Sequence, residues 1–296
     1  MNDLRGKTAF VTGGASGIGL GMARAFGREG MNVVIADIDE KAAKGAVERL
    51  ASEQIKAAPV IIDVADRGSV RAAALEALAA FGKVHVLCNN AGIAVGGPLG
   101  TVKERDWDWI IDVNLKGVVY GTEVFAPLIR SHGEGGHIVN TASLAGMVSA
   151  PGMEAYSATK FAVVAMSEGW AIQLAPDGIG VSVLCPGFVR TRIYDSGRAR
   201  QDRYGGQGEV DPGVGATREQ TTQAVLAGID PDIVGARVVE AMKAGELYIF
   251  THPNFRPIVE MRLNAIRAGF DAADQSQALK AVKEWPPIPM PVLGRE

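Results

Sequence analysis

Short apolar runs alternate with longer helical patterns along this chain, and the alternation leaves few folds open. The runs fall at residues 8–11, 32–36, 58–62, 84–88, 137–141, 181–184 and 247–250. Most are nearly continuous in apolar residues, as befits parallel strands covered on both faces. Helical patterns occupy 18–29, 40–52, 69–81, 104–129, 154–175 and 231–243. Strand–helix–strand repeats close by right-handed crossovers, which predicts an α/β fold: a doubly wound parallel sheet of Rossmann type with helices on both faces. No linker or fixed-period repeat divides the 296 residues, and 47 % hydrophobic content can fill one large core, so residues 1–296 are expected to form a single domain. The long irregular stretch 188–228 is the expected substrate flap. An extension runs from about 252 to 296; it is helical over 254–270 and then held extended by the prolines of 285–291.

Charge narrows the partners. The net charge is −3 and the 30 basic residues are scattered, so no phosphate-backbone footprint is present and nucleic acid is not expected. No apolar run is long enough to span a bilayer, and the first strand begins too early to leave room for a signal peptide; a cytoplasmic location without a membrane partner is expected. Cys88 and Cys185 lie in strand runs without metal-ligand spacing, which reads as core packing and predicts no metal.

The first strand runs into Thr12-Gly13-Gly14-Ala15-Ser16-Gly17-Ile18-Gly19, which opens a helix. Gly13 permits a tight turn, Gly17 and Gly19 let backbone approach a phosphate, and the helix N-terminus offers free N–H donors. Ser16 and Ile18 belong to the same turn. Asp37 closes the second strand, where a carboxylate accepts both ribose hydroxyls of an adenosine and repels a 2′-phosphate. Ile38 and the surrounding loop carry no Arg or Lys, so NAD is expected as cofactor in preference to NADP. Asp37 could instead cap the next helix, but Asp39 can fill that role. Asp63 ends the third strand and can accept from the adenine amino group or serve a turn. Asn89-Asn90-Ala91-Gly92 ends the fourth strand with small residues against which a ribose can lie.

Ser143, Tyr156 and Lys160 follow the spacing S-x12-Y-x3-K. Tyr156 and Lys160 share a helix face, and Ser143 stands just past the fifth strand, at the carboxyl edge where ligands of open α/β sheets bind. A tyrosine ionises near pKa ~10, and a neighbouring ammonium favours its phenolate. Lys160 and an oxidised nicotinamide together are therefore expected to lower the pKa of Tyr156, and Ser143 to hydrogen-bond a substrate oxygen. Thr101-Val-Lys-Glu104 predicts a capping box for the helix carrying Asn114. The amide of Asn114 is either back-bonded to a carbonyl or holds a water that relays protons from Lys160. As a set, the residues could also be a tyrosine–lysine helix pair beside a turn serine; the separate dinucleotide turn argues against that.

These motifs resemble the short-chain dehydrogenase/reductase family over roughly the first 190 residues and the last strand. The matching positions are the glycine run, Asp63-Val64, Asn89 to Gly92, Asn114, Ser143, Tyr156-Ser-Ala-Thr-Lys160, and Pro186-Gly187 followed by Thr191. The resemblance implies seven parallel strands, a catalytic tetrad of Asn114, Ser143, Tyr156 and Lys160, and a homodimer or homotetramer. It also implies that Pro186, Gly187 and Val189 line the nicotinamide and that Thr191 binds its carboxamide. Residues 136–146 and the Leu-Tyr-Ile-Phe-Thr-His run at 247–252 are similar to members that oxidise benzylic alcohols of lignin-derived aryl ethers.

Residues expected at the substrate are Ile93, Val95, Met147, Met153, Phe188, Ile193 and Tyr194, all apolar or aromatic. A hydrophobic secondary alcohol or ketone suits them, although Arg190, Arg192, Arg198, Arg200 and Arg203 nearby could meet a carboxylate. The expected chemistry is hydride transfer between that substrate and NAD. Epimerase, dehydratase or decarboxylating activity on the same sheet, or a dinucleotide sensor without turnover, are the competing readings.

Overall fold

In the computed structural model, which describes residues 1, 3–208 and 218–287, parallel pairing joins all the strands in the order β3-β2-β1-β4-β5-β6-β7. They are β1 (Thr8–Thr12), β2 (Asn32–Asp37), β3 (Ala57–Ile61), β4 (Val86–Asn89), β5 (Gly136–Thr141), β6 (Ile179–Cys185) and β7 (Tyr248–Phe250). Every strand expected from the sequence is present. The helices are α1 (Gly17–Arg28), α2 (Glu40–Ser52), α3 (Arg67–Phe81), α4 (Glu104–Ile111), α5 (Gly117–Ser131), α6 (Glu154–Leu174), α7 (Arg218–Leu226), α8 (Pro231–Ala244) and α9 (Arg256–Asp274).

Short polar side chains start several of these helices, because an N-cap oxygen satisfies N–H groups that the first turn leaves open. Asp39 accepts from Ala42 N at 2.9 Å at the head of α2. Asp66 accepts from Gly68 N at 2.7 Å at the head of α3, and Asp230 caps α8 ahead of Pro231. Three sequence expectations are corrected. The capping box is not formed: α4 begins after Lys103 without a side-chain cap, and Thr101 Oγ1 donates instead to Pro98 O at 2.8 Å. The helix expected over 104–129 is interrupted by a π-helical turn, Asp112–Lys116, which carries Asn114. The flap is not wholly irregular, since it contains α7 and the 3-10 turns Ile193–Ala199 and Asp202–Tyr204; its residues 209–217 lie outside those described.

Strand side chains alternate between two buried faces, as the period of two requires. On one, Ala9 and Val11 pack with Met22, Phe26, Val234 and Val238 of α1 and α8. On the other, Phe10 packs with Leu87, Trp109, Phe125 and Ile138, its ring centroid 4.5 Å from that of Phe125. α1 and α8 meet backbone to backbone: a β-carbon on Gly235 would stand 2.2 Å from Gly21 O, so only glycine fits there. By proximity the chain divides into two compact units, Met1–Thr251, which holds the whole sheet, and His252–Glu296, which holds α9. The second coincides with the expected extension. Residues 285–287 have no regular structure, and 288–296 lie outside those described. Among the described residues no helix is long and apolar enough to cross a membrane.

His137 gives this fold a pH dependence. Its ring is buried between strands, Nε2 donates to Ser182 Oγ at 2.8 Å, and burial pulls its pKa from 6.5 down to about 3. The unfolded chain binds a proton at this histidine below about 6.5, and the folded chain does not until about 3. Stability is therefore expected to fall as pH drops through that window, by up to ~1.4 kcal/mol per pH unit from this group. Urea midpoints at neutral and mildly acidic pH check it. The His137→Gln variant should show the shallower dependence, and equal slopes would reject the assignment.

Candidate active site

Strand order reverses between β1 and β4, and in open α/β sheets the crevice at the carboxyl ends of such strands binds ligands. The glycine turn sits there. Gly13 has φ +61° and Gly17 φ +53°, values that side chains with a β-carbon rarely adopt. Ser16, at the N-cap of α1, is exposed and makes no side-chain cap, so the first N–H groups of α1 have no side-chain partner. Ile18 is half-buried beside it. Gly19 has a second reason to be small. A β-carbon on it would stand 2.2 Å from Gly13 O and 2.7 Å from Asn90 Nδ2, so its smallness lets α1 close on the loop. Thr12, a residue without an expected role, knits the two loops. Its Oγ1 donates to Cys88 O at 3.1 Å and accepts from Asn90 N at 2.9 Å and Ala91 N at 3.0 Å. Asn90 Nδ2 donates back to Thr12 O at 2.9 Å.

Asp37 ends β2 with its carboxylate turned to the glycine turn, accepting from Ala15 N at 3.1 Å and Asp39 N at 3.2 Å. Burial raises its pKa, and the backbone N–H groups of Asp39, Ala15 and Ile38 oppose that rise. Because Asp39 caps α2, Asp37 is left for the crevice. Tertiary structure adds what the local loop lacks, a cation. Burial first, and then Arg192, push the pKa of Arg198 down, against the pull of Asp195, Asp37 and Asp39. Its guanidinium donates to Arg192 O at 2.8 Å and Asp195 O at 2.7 Å. Asp63 follows β3 and its carboxylate is engaged by Ala65 N, Gln201 and Arg203. Val64 is buried against Gly117. This donor set fits a dinucleotide: the positive-φ glycines, an open helix N-terminus and two carboxylates face one edge of the sheet.

Just past β5 stands Ser143, and α6 brings Tyr156 and Lys160 to it. Ser143 Oγ accepts from Ala145 N at 3.1 Å and acts on the phenol of Tyr156, favouring its ionised form. Lys160 is only 4 % exposed, its Nζ 5.5 Å from the centre of the Tyr156 ring and donating to Thr141 O at 2.8 Å. An ammonium has three donors, and Thr141 O takes one. The protein's own groups do not by themselves make the phenol more acidic. Burial pushes Tyr156 up to about 12, with Ser143 alone acting in the other direction. Burial also brings Lys160 down to about 8, opposed by Cys185, so it is still mainly charged at neutral pH. Desolvation outweighs the pairing because both groups are withdrawn from water together.

Asn114 bonds across to another loop rather than within its own helix. From its π-helical turn it grips Ile93 on the loop after β4, Oδ1 accepting from Ile93 N and Nδ2 donating to Ile93 O, each at 2.9 Å. That clamp holds the strand end beside Lys160: a β-carbon on Gly92 would lie 3.4 Å from Asn114 Oδ1 and 3.6 Å from Lys160 Nζ.

The expected substrate residues divide. Ile93 and Val95 are buried in the core with Trp109, at 5 % and 1 % exposed, because Asn114 grips the loop from below and Ser196 takes the Ala94 N–H from above. Met153 is also buried. Met147, Phe188, Ile193 and Tyr194 keep accessible surface. Leu144 N donates to Pro186 O, ahead of Gly187. Val189 is buried and bridges to Ile229. Thr191 lies over Gly17, where a β-carbon would meet its Cγ2 at 2.9 Å. Thr141 was missed because it acts through its carbonyl, and Gln201 because only folding brings the flap to β3.

Away from this edge, His85, His132 and Glu134 stand close enough together to suggest a metal. Their nitrogens are already committed. His85 Nδ1 accepts from Thr8 N, so its proton is on Nε2 and goes to Glu134. His132 Nδ1 accepts from Glu134 N and its Nε2 faces Val84 O. Neither neutral ring keeps a lone pair for a cation. Both cysteines are free and buried, and burial raises the pKa of each, that of Cys185 to about 12.

Comparisons with known proteins agree with this geometry. A short chain dehydrogenase family model matches residues 7–202. The CLA biosynthesis dehydrogenase/reductase of Lactiplantibacillus plantarum is 35 % identical over 273 residues, covering 90 % of this chain and 95 % of that protein. The C alpha-dehydrogenase of Sphingobium sp. (strain NBRC 103272 / SYK-6) is 35 % identical over 271 residues, covering 90 % and 87 %. A short chain dehydrogenase/reductase from Burkholderia phymatum, solved in complex with NAD, superposes with a TM-score of 0.86 at 38 % identity, covering 91 % of this chain and 97 % of that one. With the dinucleotide turn and the Ser–Tyr–Lys group on one edge of a seven-stranded parallel sheet, the chain belongs to the short-chain dehydrogenase family of oxidoreductases.

Proposed function

We propose that this protein transfers a hydride between NAD(H) and a hydrophobic secondary alcohol or ketone, with Tyr156 as general acid–base. The observation that carries the reading is the convergence of Ser143, Tyr156 and Lys160 beside the glycine turn. NAD, when bound, supplies the hydride acceptor. In alcohol oxidation the Tyr156 hydroxylate takes the substrate hydroxyl proton while the carbinol carbon gives up its hydride, which leaves a carbonyl. Ser143 Oγ holds the substrate oxygen toward the phenol. Lys160 keeps a positive charge one helical turn from it and lowers the cost of the phenolate. Asn114 fixes the loop against which these groups close.

Asp37 favours NAD, since a second negative charge at the ribose would meet a part-buried carboxylate. The apolar surface of Met147, Phe188, Ile193 and Tyr194 favours a substrate without charge at its reacting end. The similarity of residues 136–146 and 247–252 to members that oxidise benzylic alcohols makes aryl-substituted alcohols the first to try. Purified protein is expected to produce NADH, read at the reduced-nicotinamide absorbance band, with some member of a panel of aryl, aliphatic and steroid secondary alcohols. Asp37→Ala should narrow the NAD-over-NADP preference by tenfold or more, the equivalent of about 1.4 kcal/mol. A wild type that works better with NADP would reject the assignment of Asp37.

A further inference from the structure

The flap reaches the adenosine side of the crevice, where its side chains take the position assigned to a ligand. Gln201 Nε2 donates to Asp63 Oδ1 at 2.9 Å, and Arg203 donates to Asp63 Oδ2 at 2.7 Å. The amide is not free to turn over. Its Oε1 accepts from Trp109 Nε1 at 3.0 Å, and an indole nitrogen only donates, so the NH2 end must face Asp63. Trp109 is fully buried in α4, which makes that anchor rigid. Asp63 Oδ1 already receives Ala65 N at 3.0 Å, so Gln201 completes its two lone-pair directions. An exocyclic amine on a purine and the NH2 of a carboxamide are the same kind of donor.

We propose that Gln201 and Arg203 form a latch that competes with the adenine of the dinucleotide for Asp63; the inference rests on reading Asp63 as the adenine acceptor. The latch closes a longer seam. Ser196 Oγ accepts from Ala94 N at 3.0 Å, Tyr204 donates to Asp112 at 2.5 Å, and Arg200 pairs with Asp106 over the Trp109 ring. Arg198 adds its charge opposite Asp37 and Asp39. The docked flap thus engages the acidic residue that follows β3. One feature makes the seam releasable: Arg200 Nε is buried with no hydrogen-bond partner among the described residues, which weakens the docked state. Adenine enters by displacing Gln201, and the apparent affinity is reduced by the fraction of molecules with the flap open.

The test uses AMP, which carries the adenine without the reactive ring, beside NAD+, both titrated calorimetrically into the full chain. The double variant Gln201→Ala/Arg203→Ala should bind both about five- to tenfold more tightly than the wild type. Tyr204→Phe, which loosens the same seam elsewhere, should shift affinity in the same direction. Amide hydrogen exchange over residues 193–205 should quicken when the wild type is saturated with AMP. Asp63→Ala separates the two readings. If it weakens AMP binding while the double variant binds no tighter than wild type, the latch is wrong and the adenine assignment stands. If Asp63→Ala, added to the double variant in which no latch remains, leaves AMP binding unchanged, the adenine assignment fails and the latch with it. Slower exchange of the flap with AMP bound would also overturn the latch.

Discussion

Tyr156→Phe is expected to lower the rate of alcohol oxidation by ~10²–10⁴-fold, the span that one positioned acid–base group contributes. Binding of NADH, followed by its fluorescence, should be nearly unchanged, because the ring stays in place and only the hydroxyl is removed. The variant should also fold normally. The lost hydroxyl interacts with Ser143, a residue that keeps Ala145 N as a partner. Full turnover by the variant would remove Tyr156 from the reaction and leave the dinucleotide site without its chemistry. The direction of the pKa shifts adds a further check on the same experiment. Tyr156 is driven up by burial, so wild-type oxidation should accelerate with rising pH, as a phenolate base requires.

Phe125→Ala should lower stability by roughly 3–5 kcal/mol, the usual cost of emptying a buried aromatic site. Phe125 lies on α5 with no exposed surface, its ring centroid 4.5 Å from that of Phe10 on β1. Both residues sit in the cluster that contains Trp109 and Ile138, so the vacated volume is walled by strands and by α4 and has little room to collapse. Urea unfolding measures the loss. A cost below about 1.5 kcal/mol would mean that α5 closes onto the sheet, and that this face is less rigid than its burial suggests. The two variants separate chemistry from fold: one should lose turnover at wild-type stability, the other stability with its catalytic groups intact.

Much of this was legible in the residues. Continuous apolar runs such as 33–36 suit strands covered on both faces, and Asp39 announced a helix start through a short side-chain oxygen placed to accept an N–H donor. The glycine spacing implied backbone crowding, and Gly13 and Gly17 do take positive φ. Thr101 and Glu104 misled, because a local capping pattern competes with a turn that offers Thr101 the Pro98 carbonyl. Val95 misled for another reason. Apolar character is the same for a residue lining a pocket and one filling the core, and only the docked flap decides which it is.

What the sequence determined by itself was the order of elements and the placement of the reactive side chains at strand ends. Those depend on period, on caps and on spacings of a few residues, all of them local. Tertiary structure alone decided the protonation tendencies and the neighbours of the site. Tyr156 rises because surrounding elements strip it of water, Asn114 finds its partner in Ile93 on another loop, and Asp63 meets Gln201 from far along the chain. Desolvation and long-range contact are properties of packed surfaces, and no short window of sequence contains them.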